Sequence, residues 1–166
     1  MTEPTPTRIG FDEALAIIAR VAAAARLDIE TVPVARARDR ILAEDLVATL
    51  ALPSFDNSAM DGFAFRHADA AQAAGDGLHL VGEQFAGPDA GLAVAAGQCV
   101  RITTGAPLPA GADTVLIKEN ADVVDGRVRA RGVPAAGTHV RRAGEDVRVG
   151  DTVMHAGERL TPARLG

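Results

Sequence analysis

From Leu78 to Leu160 the chain is broken into short aliphatic runs: LHLVG, GQCVRITTG, DTVLIKEN, ADVV, RVRA and HVRRAGEDVRVGDTVMHAGERL, punctuated by glycine and proline. Short Val, Leu and Ile runs bounded by such residues are expected as strands, so the middle and end of the chain should be β-rich. Asp125-Gly126, between ADVV and RVRA, is a strong hairpin signal. Gly150-Asp151 and Ala156-Gly157 are expected as further turns.

The part before Leu78 reads differently. Phe11 to Arg26 places Phe11, Ala14, Leu15, Ile18, Val21, Ala22 and Ala25 at helical spacing, with Asp12 and Glu13 in the first turn and Arg26 in the last. This predicts an amphipathic helix that packs on a core or a partner. The run ILAEDLVATLALP predicts a strand that breaks at Pro53, which cannot donate to a central ladder. His67 to Gly75 predicts a short helix closed by glycine. Leu160 to Gly166 reads as a helix start, with Thr161 as N-cap and Pro162 in the first helical position, so the chain is expected to be a piece of something longer.

A chain of 166 residues, 48% hydrophobic and 23% charged, fits one ordinary domain or two small ones. With no Trp or Tyr and five Phe, its core must be aliphatic. Each buried Val, Leu or Ile contributes roughly 1.5 to 3 kcal/mol, so neither disulfides nor a structural metal is required. The net charge of −5 argues against nucleic acid or an anionic membrane as a general partner. Cys99 is the single cysteine, which rules out an intrachain disulfide or a thiolate cluster and suits a small apolar residue in GQCVRI. MTEPTPTRIG lacks the basic start and apolar core of a signal peptide, and no later run is long enough to cross a bilayer. The expected location is the cytoplasm.

Three segments could carry chemistry. SFDNSAMDGFAFR, Ser54 to Arg66, gathers Asp56, Asn57, Ser58 and Asp61 around Met60. Taken alone it is turn chemistry, since these side chains fold onto nearby backbone N–H groups. Asp56 and Asp61 brought within ~4 Å would repel by roughly 4 kcal/mol at an effective dielectric of 20. Either they diverge, or a cation or donor sits between them, and magnesium is the natural cation. RITTGAPLPAGAD, Arg101 to Asp113, is either an anion cradle built on Thr103, Thr104, the Gly105 amide and Arg101, or a proline-stiffened connection. RRAGED, Arg141 to Asp146, is either a surface ion-pair network or a charged site, and on a strand only one of its adjacent arginines would reach a given ligand. His67, His79, His139 and His155 show no metal-ligand spacing.

In this order, LPSFDNSAMDGFAFR, RITTGAPLPAGADTVLIKEN and RRAGEDVRVGDTVMHAGERLTPARLG resemble the amino-terminal half of molybdopterin molybdenumtransferases, the family that includes the gephyrin E domain. The resemblance implies an α+β, predominantly β fold with an N-terminal amphipathic helix and coiled or bifurcated β-sheets. It implies a discontinuous domain of residues 1–52 plus 138–166, with a β-rich lid domain, 53–137, inserted into it. It also implies an enzyme of molybdenum cofactor biosynthesis that inserts molybdate into adenylated molybdopterin with magnesium, releasing AMP. The pterin pocket would lie largely in a third domain beyond Gly166, with a homodimer formed through the missing domains, so the isolated chain is expected to be inactive.

Carried over by position, the resemblance implies Asp61, Thr104 and Asp146 as catalytic residues and Asp56, Ser58, Gly105 and Arg141 as substrate contacts. Asp61 would hold magnesium or its waters, with Asp56 a second candidate. Thr104 and Gly105 would meet phosphate oxygens, and Arg141 would balance anionic charge. Phe63 stands where the family commonly has tyrosine, Glu119 fits its usual acid, and Lys118 sits at a variable position. Two other readings compete: a non-catalytic dimerisation or docking module, and a stand-alone magnesium hydrolase.

Overall fold

The computed structural model describes residues 8–25 and 28–166. They are predominantly β with short helices, an α+β arrangement of two compact units, Met1–Glu44 with Ala156–Gly166 and Asp45–His155. The segment expected as an insert, 53–137, lies within the second unit.

In the first unit, helix α1 runs Phe11–Ala24 with Ala25 at its C-cap. Arg26, expected in its last turn, lies outside the described residues. The periodicity is realised, but no residue of the helix is buried, and Phe11 is 81% and Ile18 64% exposed. The two chain ends meet in a short ladder: Asp39 N–H donates to Leu160 O, Leu160 N–H to Arg40 O and Leu42 N–H to Glu158 O, each at 2.8 Å. A bridge between Ile41 and Arg159 belongs to the same ladder. The last helix, which follows all the strands named below, spans Pro162–Leu165 with the expected proline start, although the Thr161 side chain makes no capping bond.

The second unit holds all the named strands. The run expected to be one strand before Pro53 is broken into pieces: Ile41 and Leu42 in the ladder of the first unit, a two-residue strand, β1 (Leu46–Val47), and a separate bridge from Leu52 to Val147. Part of DNSAMDG, expected to be turn, is instead strand β2 (Asn57–Ser58). Next come β3 (Gly62–Phe65), helix α2 (Ala70–Ala74) ending at Gly75, β4 (Leu78–Gln84), β5 (Gln98–Ile102), β6 (Thr114–Ile117), β7 (Ala121–Val124), β8 (Arg127–Ala130), β9 (Val140–Arg141) and β10 (Thr152–Met154). Strand β1 pairs with β10, and β2 with β9, both antiparallel. The main sheet has the order β6-β3-β5-β4-β8-β7. The Asp125-Gly126 hairpin forms as expected, both residues taking positive φ, 48° and 72°.

The edge strands β6 and β7 are joined by Lys118–Asn120 alone, so one end of one edge lies within about 14 Å of one end of the other, the longest reach of four residue steps. A six-stranded sheet can satisfy that only by curling, as twisted strands readily do. Alternation along β3 then separates two cores. Phe63 and Phe65 join Cys99, Leu116, Leu78 and Val128 on one face, while Ala64 joins Ile102, Val115 and Ala106 on the other. Cys99 is fully buried, and burial pushes its thiol pKa up to about 12, which fits the small apolar role expected of it.

Gly62 makes the central pairing possible. A Cβ there would stand 2.0 Å from the carbonyl oxygen of Leu116 on β6. The MDG turn therefore needs its glycine for backbone approach rather than for positive φ.

Candidate functional site

The three charged and hydroxylated segments come together through backbone pairing. Strand β2 lies between two of them. On one side Asn57 and Ser58 pair with Arg141 and Val140 of RRAGED and the residue before it. On the other, Ser58 N–H donates to Ala106 O at 3.1 Å, Gly105 N–H to Ser58 O at 2.8 Å and Leu108 N–H to Asp56 O at 2.9 Å. Asn57 and Ser58 are buried by this sandwich, so their neighbours Asp56 and Asp61 are carried on a stiff support.

Asp61 precedes β3 and faces the ends of two other strands. Its Oδ1 accepts both the Thr104 N–H and the Thr104 hydroxyl, at 2.9 Å each, and its Oδ2 accepts Lys118 Nζ at 3.2 Å. The Thr104 N–H, then its hydroxyl, then Lys118 hold the carboxyl down at about 2. The Lys118 N–H also donates to Asp61 O, at 3.1 Å. Asp61 thus ties the start of β3 to the loop after β5 and the end of β6. Beside it a cavity of about 340 Å³ has Phe63, Leu80 and Val123 as apolar walls and a second ion pair, Arg101 to Glu83 at 3.1 Å, in its lining.

Asp56 is held separately. Its Oδ1 accepts the Ala143 N–H at 2.8 Å and its Oδ2 accepts Arg142 Nη1 at 2.6 Å, which lower its pKa in that order of importance, with burial opposing. The two aspartates therefore diverge, each to its own basic partner. Arg141 points elsewhere, with Nε to Glu145 at 2.6 Å and Nη2 to Asp146. Glu145 in turn caps the Arg142 N–H at 2.8 Å and is held below its ordinary value, chiefly by Arg141. The adjacent arginines do split, Arg141 to Glu145 and Asp146 and Arg142 to Asp56, although Arg142 lies just past the end of the pairing of Asn57 and Ser58 with Val140 and Arg141 and the split is not the alternation of a strand.

Of the predicted site residues, Asp61 and Thr104 meet directly, as do Arg141 and Asp146. Ser58 and Gly105 meet through the backbone, and the Ser58 hydroxyl turns back to the Met60 carbonyl at 2.6 Å. The Gly105 amide and the Thr104 hydroxyl, both offered for an anion cradle, already have acceptors within the chain, and Thr103 Oγ1 accepts the Ala86 N–H at 3.0 Å. Lys118 and Arg142 were passed over by sequence reasoning. For Lys118 the only available signal was that it is the single lysine. Among the described residues no group of three or more His, Cys, Asp or Glu is placed to hold a metal.

Residues 9–166 match the family described as the MoeA N-terminal region, domains I and II. The chain belongs to that family. Among curated relatives, the molybdopterin molybdenumtransferase of Synechococcus elongatus is 38% identical over 161 residues, covering 95% of this chain and 40% of the relative. Molybdopterin molybdenumtransferase 2 of Mycobacterium tuberculosis is 42% identical over 139 residues, covering 82% of this chain and 34% of the relative. A crystal structure of the molybdopterin biosynthesis MoeA protein of Pyrococcus horikoshii superposes with a TM-score of 0.78 at 33% identity, over 83% of this chain and 37% of that one. The chain thus spans 40% or less of each of these proteins. As a MoeA N-terminal region, it has the sheet-borne support just described and the acids and threonine mounted on it. Among the described residues no helix is long and apolar enough to cross a membrane.

Proposed function

We propose that this MoeA N-terminal region is part of a cytoplasmic molybdopterin molybdenumtransferase of molybdenum cofactor biosynthesis, which inserts molybdate into adenylated molybdopterin with release of AMP. The observation that carries the reading is the Asp61–Thr104–Lys118 constellation beside an open cavity, in a chain matched to the family over residues 9–166. On this reading the chain serves as a lid over pterin-binding machinery contributed by the rest of the polypeptide and by a second subunit.

Magnesium fits here as a partly coordinated ion. A magnesium ion is typically held by one or two carboxylates together with substrate phosphates and waters. Asp61 offers one such carboxylate, with Oδ1 filled by Thr104 and a lone pair left on Oδ2 beside Lys118. Phosphate oxygens and waters would complete the sphere. When bound, the ion would act as Lewis acid and template at a phosphoanhydride.

The chain's own residues then have distinct tasks. Asp61 is a carboxylate at neutral pH, and the three donors that face it keep it ionised further into acid. Thr104 aims that carboxylate and keeps its own oxygen available to a ligand. Gly105, at φ 79° with open space where a Cβ would be, lets substrate approach the backbone closely. Asp56 and Ser58 fix the turn through Arg142, Ala143 and Met60, placing them at the edge of the substrate path. Arg141 and Asp146 form a pair that an anionic substrate would open, freeing the guanidinium to balance its charge.

A docking or dimerisation role is the second reading, favoured by the exposed apolar residues of α1. Asp61→Ala in the full-length protein separates the two. The lid reading expects slower cofactor formation from adenylated molybdopterin and molybdate with the dimer intact, and expects no turnover by this chain alone. Unchanged turnover in the variant would favour docking.

A further inference from the structure

We infer that Lys118 is a built-in counter-ion that sits on Asp61 Oδ2 in the place a divalent cation would take, so that cation entry requires the ammonium to leave. The inference rests on the reading of Asp61 as a metal ligand and concerns what controls access to it.

The geometry leaves the cation one route. A carboxylate oxygen accepts about two hydrogen bonds, and Oδ1 already has two from Thr104, one of them from a backbone amide that cannot swing away. Oδ2 is the remaining oxygen, and Lys118 Nζ is 3.2 Å from it. Oδ2 keeps a second lone pair, but a divalent ion bound there would face a unit positive charge at contact distance, and that repulsion sets the two in competition for the oxygen. Lys118 can yield. Its side chain is 59% exposed, and exposed ion pairs are weak because water screens them and the long side chain gains freedom on release.

The released ammonium would not go far. Lys118 N–H is bonded to Asp61 O at 3.1 Å, so the root of the side chain stays beside the carboxylate whichever way its end points. Arg101, the other cation lining the cavity, is engaged by Glu83 at 3.1 Å. Lys118 would therefore be the nearest unpaired cation to any phosphate arriving with the metal. The same side chain would hold Asp61 in the empty state and meet the anion in the filled one.

Manganese(II) is the probe, titrated into this chain while line broadening is followed at the amides of Gly62 and Thr104. The comparison is between the unaltered chain, Lys118→Met, Lys118→Arg and Asp61→Asn, with Lys118→Gln as a second neutral variant should the methionine perturb the fold. The expected result is binding roughly twofold to fivefold tighter in the neutral variants, the factor an exposed ion pair corresponds to. Lys118→Arg should stay as weak as the unaltered chain, and Asp61→Asn should lose the effect. Broadening centred on Asp61 but equal in the unaltered chain and Lys118→Met would overturn the inference while leaving the metal reading intact. Broadening that never centres on Asp61 in any variant would remove both.

Discussion

Thr104 gives its main-chain N–H and its hydroxyl proton to the same oxygen of Asp61, at 2.9 Å each. That double bond from one residue, ahead of Lys118, is why the carboxyl is held at about 2 rather than its ordinary 3.8. A carboxyl held lower in the folded than in the unfolded chain adds stability above the unfolded value, and that stability is lost as pH falls through the folded value. The window here lies between about 3.8 and about 2. Thr104→Val keeps the amide and removes the hydroxyl, so the Asp61 midpoint should rise yet stay below 3.8, as read by carboxyl-carbon NMR across an acid titration. A midpoint that does not move would show that the hydroxyl bond is not made in solution.

Gly62 tests the sheet that carries the site. Its missing side chain lets β6 approach so closely that an added Cβ would lie 2.0 Å from a backbone oxygen, which cannot rotate aside as a side chain would. Overpacking of this kind typically costs about 1 to 3 kcal/mol, and a backbone contact belongs at the upper end. Gly62→Ala should lower the denaturation midpoint of the Asp45–His155 unit by a corresponding amount, measured by urea unfolding. Near-wild-type stability would mean that β3 and β6 do not pair in the register seen.

The hairpin at Asp125-Gly126, the helix from Phe11 and the short helix ending at Gly75 were legible because each rests on local rules: turn residues, helical spacing and a glycine stop. In the DNS stretch the Ser58 hydroxyl does accept the Met60 N–H, as expected of turn chemistry, but the strand pairing there was missed for a physical reason. Asp, Asn and Ser favour turns locally, but β9 and the loop after β5 supply backbone partners on both sides, and those long-range bonds override local preference. The run before Pro53 failed in the opposite direction, since its backbone finds partners only piecewise, at Ile41–Leu42, at Leu46–Ala48 and at a bridge from Leu52. Asp61 and Thr104 were singled out by their motifs, whereas Lys118 was set aside as a variable position, and nothing local shows that the end of β6 meets the start of β3. Sheet order, which places these strands side by side, is not a property of any single segment.

Cys99 reports on core integrity without a mutation. Its side chain is fully buried among Phe63, Phe65 and Leu116, and burial raises its thiol pKa to about 12, so at pH 8 it is neither accessible nor a thiolate. A thiol reagent such as iodoacetamide should leave the native chain unlabelled at pH 8 and label it fully in denaturant. Rapid labelling under native conditions would mean that the curled sheet opens far more readily than its packing implies.

Asp56 and Asp61 lie five residues apart, yet their acceptor roles run to different parts of the chain: Arg142 and the Ala143 amide for one, Thr104 and Lys118 for the other. If the two clusters are independent, each should be removable without disturbing the other, as expected for sites that share no partner. Asp56→Ala removes the acceptor of the Ala143 N–H and leaves Arg142 unpaired, while the backbone pairing of β2 with β9 stays in place. Hydrogen exchange should therefore quicken at Ala143, by tenfold or so for the loss of about 1.4 kcal/mol of protection, and stay unchanged at Thr104. Parallel loss of protection at both amides would mean that Asp56 supports the Asp61 cluster through β2, and that the lid carries one coupled acidic site in place of two.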